Sequence, residues 1–438
     1  MMDTTTIGVI VIAALMVLLF LRVWLGVAMG IVAFVGLILM TGKPSLALNV
    51  LSIEPFSQMA QYTFSCVPLF ILMGVLISNT GLGDALFDTA AKLVGQIRGG
   101  LAIATVIACG LFAAVCGSSM ATAVTMGKVA YPQMKKHNYN ISMAIGCLAA
   151  GGSVGIMIPP SLAFIMYGII CRESIGQLFL AGIIPGILQV GFYCILITVM
   201  CRIKPGYGPA APKASNRERI RSLPQSLPVV LLIIIVIGGI YGGIFTTTEA
   251  AAIGSCFAII IALLWKKLNK ENLMKSLRET SATTGMILIL IVGAFIFMRF
   301  LTLSGLPAQI SAFAGGLDVP RWVILLAIII IYLILGCLMD VISAVVLTLP
   351  ITYPLMMSLG YDSIWFGVLV VKLIELGEIT PPVGINTFVL ARACNVKPEV
   401  GFKGILPFVV SDLILVAIIC VFPELPLLLV HSSASFMS

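Results

Sequence analysis

Gly151-Gly152-Ser153-Val154-Gly155-Ile156-Met157-Ile158-Pro159-Pro160-Ser161 interrupts an apolar run that extends from Ser142 to Ile170. A second stretch, Gly377-Glu378-Ile379-Thr380-Pro381-Pro382-Val383-Gly384, interrupts the run from Ile364 to Leu390 in the same way. No proline of either pair can donate a backbone hydrogen bond. Freed backbone at membrane depth is tolerable only where it lines a cavity or binds something. The two stretches therefore predict broken helices with chemistry at the breaks.

The breaks are parts of a longer repeat. Tyr131-Pro132-Gln133-Met134 recurs 222 positions on as Tyr353-Pro354-Leu355-Met356. The same offset pairs Tyr139 with Tyr361, Gly155 with Gly377, Pro159-Pro160 with Pro381-Pro382, Gly182-Ile183 with Gly404-Ile405, and Pro185 with Pro407. Chance supplies a proline pair or two in so apolar a chain, but not this series in register.

Of the 438 residues, 60% are hydrophobic and only 10% charged, and the mean hydropathy is +1.17. A soluble domain cannot hide that much apolar surface, so the solvent for most of the chain is the lipid bilayer. The net charge of +8 is no nucleic-acid signal, because the basic residues sit in short loops rather than on one face. The eleven cysteines lie in apolar stretches without a CxxC pair and read as small buried hydrophobes. No basic segment precedes the first apolar run, Ile7–Leu21, which is therefore read as a retained spanning helix.

Further spanning runs are expected near Leu25–Met40, Phe64–Ile77, Ile183–Arg202, Leu227–Ile244, Ala250–Trp265, Ser281–Leu303 and Ile405–Val421. Two regions, about 101–132 and about 322–355, are each long enough to enter the membrane and return as re-entrant hairpins. With a periplasmic N-terminus, that arrangement puts twenty of the twenty-five Lys and Arg on the cytoplasmic side of a bacterial inner membrane. The first repeat then opens outside and the second inside, so the two are inverted. The fold class is an all-α integral membrane bundle with inverted repeats, two hairpins and broken helices. Its expected parts are N-terminal scaffold helices (1–62), repeat 1 (63–204), a basic loop with linking scaffold helices (205–280), repeat 2 (281–423) and a tail (424–438).

Inverted repeats place a binding site at their interface, near the midplane, on the broken helices. The first hairpin turns near Cys116-Gly117-Ser118-Ser119, followed by Met120-Ala121-Thr122. A half-helix starting there aims free N–H groups and its positive dipole end at an anion. Glycine carbonyls turned inward at a break suit a hard cation such as Na+. The second hairpin turns near Gly336-Cys337-Leu338-Met339-Asp340, with Asn386 and Thr387 beyond its partner break. Asp340 stands in the slot of Ser118. An intramembrane carboxylate costs about 2.5–3.5 kcal/mol to insert, so its default reading is functional. The alternatives are a cap on the returning helix or a pair with Lys372. Glu375, three residues from Lys372, can pair with it along the helix, and both Glu375 and Glu378 read as structural. Substrate contacts are expected from Ser118, Ser119, Thr122, Pro159, Ser161, Asp340, Pro381, Asn386 and Thr387. Thr246 and Glu249 have capping-box spacing and read as a helix cap.

An enzyme is not expected. Gly81-Leu82-Gly83-Asp84 and Tyr361-Asp362 resemble the two motifs of intramembrane aspartyl proteases, but in reversed order and in loops on opposite faces. HExxH and P-loop patterns are absent from the sequence.

Gly117-Ser118-Ser119-Met120-Ala121-Thr122-Ala123, Ile158-Pro159-Pro160-Ser161, Thr248-Glu249-Ala250-Ala251 and Thr380-Pro381-Pro382-Val383-Gly384-Ile385-Asn386 resemble the large membrane subunit of TRAP transporters, the tripartite ATP-independent periplasmic transporters. The likeness runs from about Pro68 to Pro423. Thr247 departs from it, since the family usually has Pro there, and this touches only the cap. The resemblance implies an elevator-type, Na+-driven importer of a small organic acid. It also implies two partners, a small four-helix membrane subunit and a periplasmic substrate-binding protein. No four-helix block precedes Ile7, so the small subunit is expected as a separate chain. By the same resemblance, Na+ ligands are expected from Ser118, Ser119, Gly152 and Ser153 in one half, and from Gly336, Gly377, Thr380 and Val383 in the other. A stand-alone Na+–dicarboxylate symporter of the same architecture is the alternative function. A non-transporting scaffold or receptor is a third, against which the paired breaks argue.

Overall fold

A computed structural model describes residues 3–437; Met1, Met2 and Ser438, at the outer ends of the expected N-terminal and tail segments, lie outside the described residues. The chain is helical. Helices α1 (Thr4–Phe20), α2 (Leu25–Thr41) and α3 (Pro44–Met59) precede the first repeat. That repeat contains α4 (Cys66–Asn79), α5 (Asp84–Val94), α6 (Gly100–Cys116), α7 (Ser119–Lys136), α8 (Ile141–Ser153), α9 (Leu162–Cys171) and α10 (Ile175–Ile203). Linking helices α11 (Asn216–Tyr241) and α12 (Thr247–Leu264) follow. The second repeat contains α13 (Lys270–Ser304), α14 (Leu306–Gly316), α15 (Arg321–Leu338), α16 (Val341–Ser358), α17 (Ser363–Ile379), α18 (Ile385–Ala393) and α19 (Pro398–Val421), and α20 (Glu424–Met437) ends the described chain. Among the described residues, eight helical segments are long and apolar enough to cross a membrane.

The offset of 222 read from the sequence carries α5 onto α14 and α7 onto α16 residue for residue. It also carries the caps. Ser118 and Asp340 accept from the backbone of α7 and α16, and Asn140 and Asp362 do so for α8 and α17. Each of these side chains satisfies an N–H that has no carbonyl four residues back. Both hairpins turn where expected, and both diproline bonds, Pro159-Pro160 and Pro381-Pro382, are cis.

The repeats interlock. The returning arm of the first hairpin, α7, packs on α18 of the second repeat, and α16 packs reciprocally on α9. Helix α8 packs on α19 so closely that a Cβ on Gly146 would meet the backbone of Gly404. Outside this core, α2 and α3 lie along α13, while α11 and α12 pack on α5 and α4.

Four helices were not foreseen as spans, and each has a local reason. Helix α3 contains Glu54 and Pro55. Helices α5 and α14 have eleven residues each, too short to cross. The segment read as a tail forms α20, which packs on α10. The expected boundary at 280 falls inside α13, whose 35 residues make it about 52 Å long at 1.5 Å per residue. The cap reading holds: Thr246 accepts from the Glu249 N–H, and the Glu249 carboxylate accepts from the Thr246 backbone and hydroxyl.

Candidate functional site

Both hairpin tips abut the breaks. Gly117 ends α6 with φ +64°, the left-handed conformation that suits glycine, and a Cβ there would come within 3.0 Å of the Pro160 carbonyl. At the second tip, a Cβ on Gly336 would stand 2.7 Å from the Ile374 carbonyl, and one on Gly377 would stand 2.6 Å from Gly336. Glycine at 336 and 377 is thus what lets α15 and α17 touch backbone to backbone, whatever else their carbonyls do.

Between the tips lies a cavity of about 360 Å³. Its polar wall comes from Ser118 and Ser119 on the first hairpin, Asp340 on the second, and Glu378 at the second break. Ser78 and Glu279, on α4 and α13, face it from the other side. The best-connected group is one that sequence reasoning set aside. Glu378 is 3% exposed, and its carboxylate accepts from the Ser119 hydroxyl at 2.8 Å, the Asn386 amide at 2.8 Å and the Val341 N–H at 3.2 Å. It therefore joins both hairpin tips to both sides of its own break. The structural reading of Glu378 is corrected: it lines the site. Proximity to Lys372 in sequence was misleading, because residues six apart on one helix, as Lys372 and Glu378 are on α17, lie on different faces. The usable signal was the missing counterpart, since Ile156 stands at the matching position of the first break.

Lys372 pairs elsewhere. It bonds Glu375 at 3.4 Å, as expected, and Asp412 of α19 at 2.9 Å, with all three buried. Gln189 donates to Glu375 at 2.5 Å and Tyr193 to Asp412 at 2.6 Å, so α10, α17 and α19 are tied by one polar cluster. Asp340 does not reach Lys372. It caps α16, accepting from the Ser343 N–H at 3.1 Å and the Ser343 hydroxyl at 2.6 Å, while remaining exposed to the cavity.

The other expected site residues divide into three groups. Thr122, Ser161 and Asn386 are fully buried, and Thr122 Oγ1, Ser161 Oγ and Asn386 Oδ1 have no hydrogen-bond partner among the described residues. Such buried oxygens are costly to leave unmet. Thr387, Thr380 and Ser153 spend their hydroxyls on nearby carbonyls: Ile379 at 3.3 Å, Leu376 at 2.5 Å and Ala150 at 2.8 Å. Gly152 packs against Ala123. Pro159 lies away from the cavity, in an apolar crevice with Phe179, Ile183 and Ile240, because the first diproline packs on α10 and α11. Pro381 is half-buried at the second break, and Val383 beside it, 41% exposed, has no ligand atom in its side chain, which leaves only its carbonyl for an ion.

Residues 12–425 match the family model described as "Tripartite ATP-independent periplasmic transporter, DctM component". The chain is 34% identical to the C4-dicarboxylate TRAP transporter large permease protein DctM of Pseudomonas aeruginosa, over 86% of this chain and 88% of that one. It is 32% identical to the sialic acid TRAP transporter large permease protein SiaM of Vibrio cholerae, over 90% and 92% of the two chains. Among solved structures, the YdaH transporter of Alcanivorax borkumensis shares the fold, with a TM-score of 0.59 at 16% identity, over 86% of this chain and 90% of that one.

Proposed function

The chain belongs to the DctM component family of the tripartite ATP-independent periplasmic transporters, and from that premise we propose that it imports a small organic acid by Na+-coupled secondary transport. A periplasmic binding protein delivers the acid, a small four-helix membrane subunit completes the assembly, and the hairpins carry the bound acid across the inner membrane in an elevator motion. The N-terminus faces the periplasm.

The observation that carries the reading is the cavity where both hairpin tips meet Glu378, at matched positions of the two repeats. Relatives named for C4-dicarboxylates and for sialic acid support a carboxylate substrate. What supports coupling to a cation is the set of unmet oxygens on Thr122, Ser161 and Asn386, beside backbone freed at the breaks. Membrane electrostatics require some such partner. An acid entering an inside-negative cell climbs about 2.3 kcal/mol per charge per 100 mV, and Na+ in excess of its charge reverses the sign.

The test is uptake of labelled organic acids into proteoliposomes holding this chain and its small subunit, under an inward Na+ gradient, with and without the soluble protein. Uptake that needs both Na+ and the soluble protein is the expected result. Na+-driven uptake without the soluble protein makes the chain a stand-alone symporter, and uptake indifferent to Na+ removes the coupling.

A further inference from the structure

Helix α11 carries a guanidinium that the rest of the chain leaves unanswered. Nε and Nη2 of Arg219 are buried and have no hydrogen-bond partner among the described residues. Those two nitrogens form one edge of the planar group, and their parallel N–H bonds match two oxygens of a phosphate or a carboxylate. Buried donors without an acceptor are costly, the more so when charged. The acids nearby on α11 and α5 are spent elsewhere. Glu218 closes a capping box with Ser215, and Asp88 pairs with Lys92. Lys92 also stands within electrostatic reach of Glu218, so a second cation lies beside the start of α11.

The surroundings identify the acceptor. The 26 residues of α11 make it about 39 Å long at 1.5 Å per residue, against a hydrocarbon core of about 30 Å. The surplus of about 9 Å is about six residues. The first six, Asn216-Arg217-Glu218-Arg219-Ile220-Arg221, hold all the charge of the helix, which puts Arg219 at headgroup depth. Beyond it, the row four residues apart on the same flank is Leu223, Leu227 and Leu231, each 42–51% exposed and so turned to lipid. Ser222, next to that row, is fully buried, and its carbonyl accepts from Thr89 of α5. Arg219 thus stands on the seam between the face of α11 packed on α5 and the face turned to the membrane. Its unpaired edge is buried there, and an apolar track leads from it into the bilayer.

We infer that this seam binds an anionic phospholipid, whose phosphodiester takes the Nε–Nη2 edge of Arg219 and whose acyl chain lies along Leu223, Leu227 and Leu231. The site is separate from the cavity between the hairpins and does not depend on what the chain transports. A free phosphate would meet the guanidinium and leave the leucine row uncovered, whereas a lipid covers both. Arg217 and Arg221, exposed on either side, add the field that favours an anionic headgroup over a zwitterionic one.

The complex of this chain with its small subunit is purified in a neutral detergent, stripped of lipid and titrated with phosphatidylglycerol or phosphatidylcholine, and bound lipid is counted by native mass spectrometry. Phosphatidylglycerol is expected to bind about tenfold more tightly than phosphatidylcholine. Arg219→Gln is expected to weaken its binding about tenfold. Arg219→Lys should recover only part of that loss, because the ammonium keeps the charge but not the fork. Arg221→Gln, at an exposed neighbour, should change binding less than about twofold. Equal losses in R219Q and R221Q would mean diffuse attraction to the basic segment and would overturn the site. Equal binding of the two lipids overturns it too, as does displacement of phosphatidylglycerol by inorganic phosphate, which would make the bare anion the ligand. Loss of the small subunit from R219Q with lipid present would assign the edge to an acid of that partner instead. R219K keeps the question answerable if R219Q fails to assemble, since native affinity in R219K overturns the bidentate contact.

Discussion

The hydroxyl of Ser119, at the tip of the first hairpin, donates to the carboxylate of Glu378, at the break of the second repeat, across 2.8 Å. The two residues are 259 positions apart and lie in different repeats. A bond of this kind makes the relative position of the repeats depend on one carboxyl group, and a single hydrogen bond contributes about 0.5–1.5 kcal/mol.

Ser119→Ala should therefore slow Na+-driven uptake by roughly tenfold and raise the Na+ concentration at half-maximal rate. The same bond makes S119A and E378Q non-additive, because each removes what the other would lose. Uptake by the double variant should be no slower than by E378Q alone. Fully multiplicative losses would show that the two residues act independently, and an unchanged Na+ dependence in S119A would take Ser119 out of the ion's surroundings.

Lys372 is the one cation in a buried cluster with Glu375 and Asp412, all at 0–1% exposure. Replacing it by Met leaves two carboxylates facing each other without a counter-charge, a loss of about 3–5 kcal/mol for a broken buried pair. K372M should depress the unfolding temperature of the detergent-solubilised protein sharply or abolish its accumulation. Lys372→Met combined with Asp412→Asn should regain much of that loss, since Glu375 keeps its bond from Gln189. A single variant as stable as the native chain would mean that the cluster is not held by charge.

Thr246 and Glu249 satisfy each other's backbone N–H groups at the start of α12, away from the cavity. Thr246→Ala should cost about 0.5–2 kcal/mol of stability and leave uptake per folded molecule unchanged. A change in substrate or Na+ affinity would contradict the reading of this motif as a cap.

Much of this architecture was legible because its signals are local. A diproline in an apolar run, a turn of small residues, and a Ser, Asp or Asn before a helix each act within a few residues, and the 222-residue register let one half check the other. The Ser119–Glu378 and Lys372–Asp412 contacts were not legible, because they join residues far apart in sequence and the repeat does not predict them. Ser153 and Ile156 stand where Glu375 and Glu378 do, and Val190 stands where Asp412 does. The second half carries carboxylates at positions that are neutral in the first. Pro159 was misplaced for a related reason: equivalent diprolines share a backbone shape, but one packs on α10 and α11 while the other stands half-exposed.

Gly336 and Gly377 raise a choice between packing and ion binding, and one substitution can separate them. A Cβ on Gly377 would lie 2.6 Å from the Gly336 backbone, closer than real Cβ atoms stand, and the atoms it would meet are main chain rather than the end of a flexible side chain. Gly377→Ala must therefore push α15 from α17 and shift the second hairpin tip, together with the Asp340 cap that follows it. Gly315→Ala, on α14, meets nothing within 4 Å and is the control. G377A should lower uptake at least tenfold with a loss of stability typical of overpacking, about 1–3 kcal/mol, whereas G315A should change neither. Because the methyl leaves the Gly377 carbonyl in place, the Na+ dependence of whatever uptake remains tells the two roles apart. An unchanged half-saturating Na+ concentration means that the glycine serves close packing alone, and a large rise means that the packed tip also shapes the ion's surroundings.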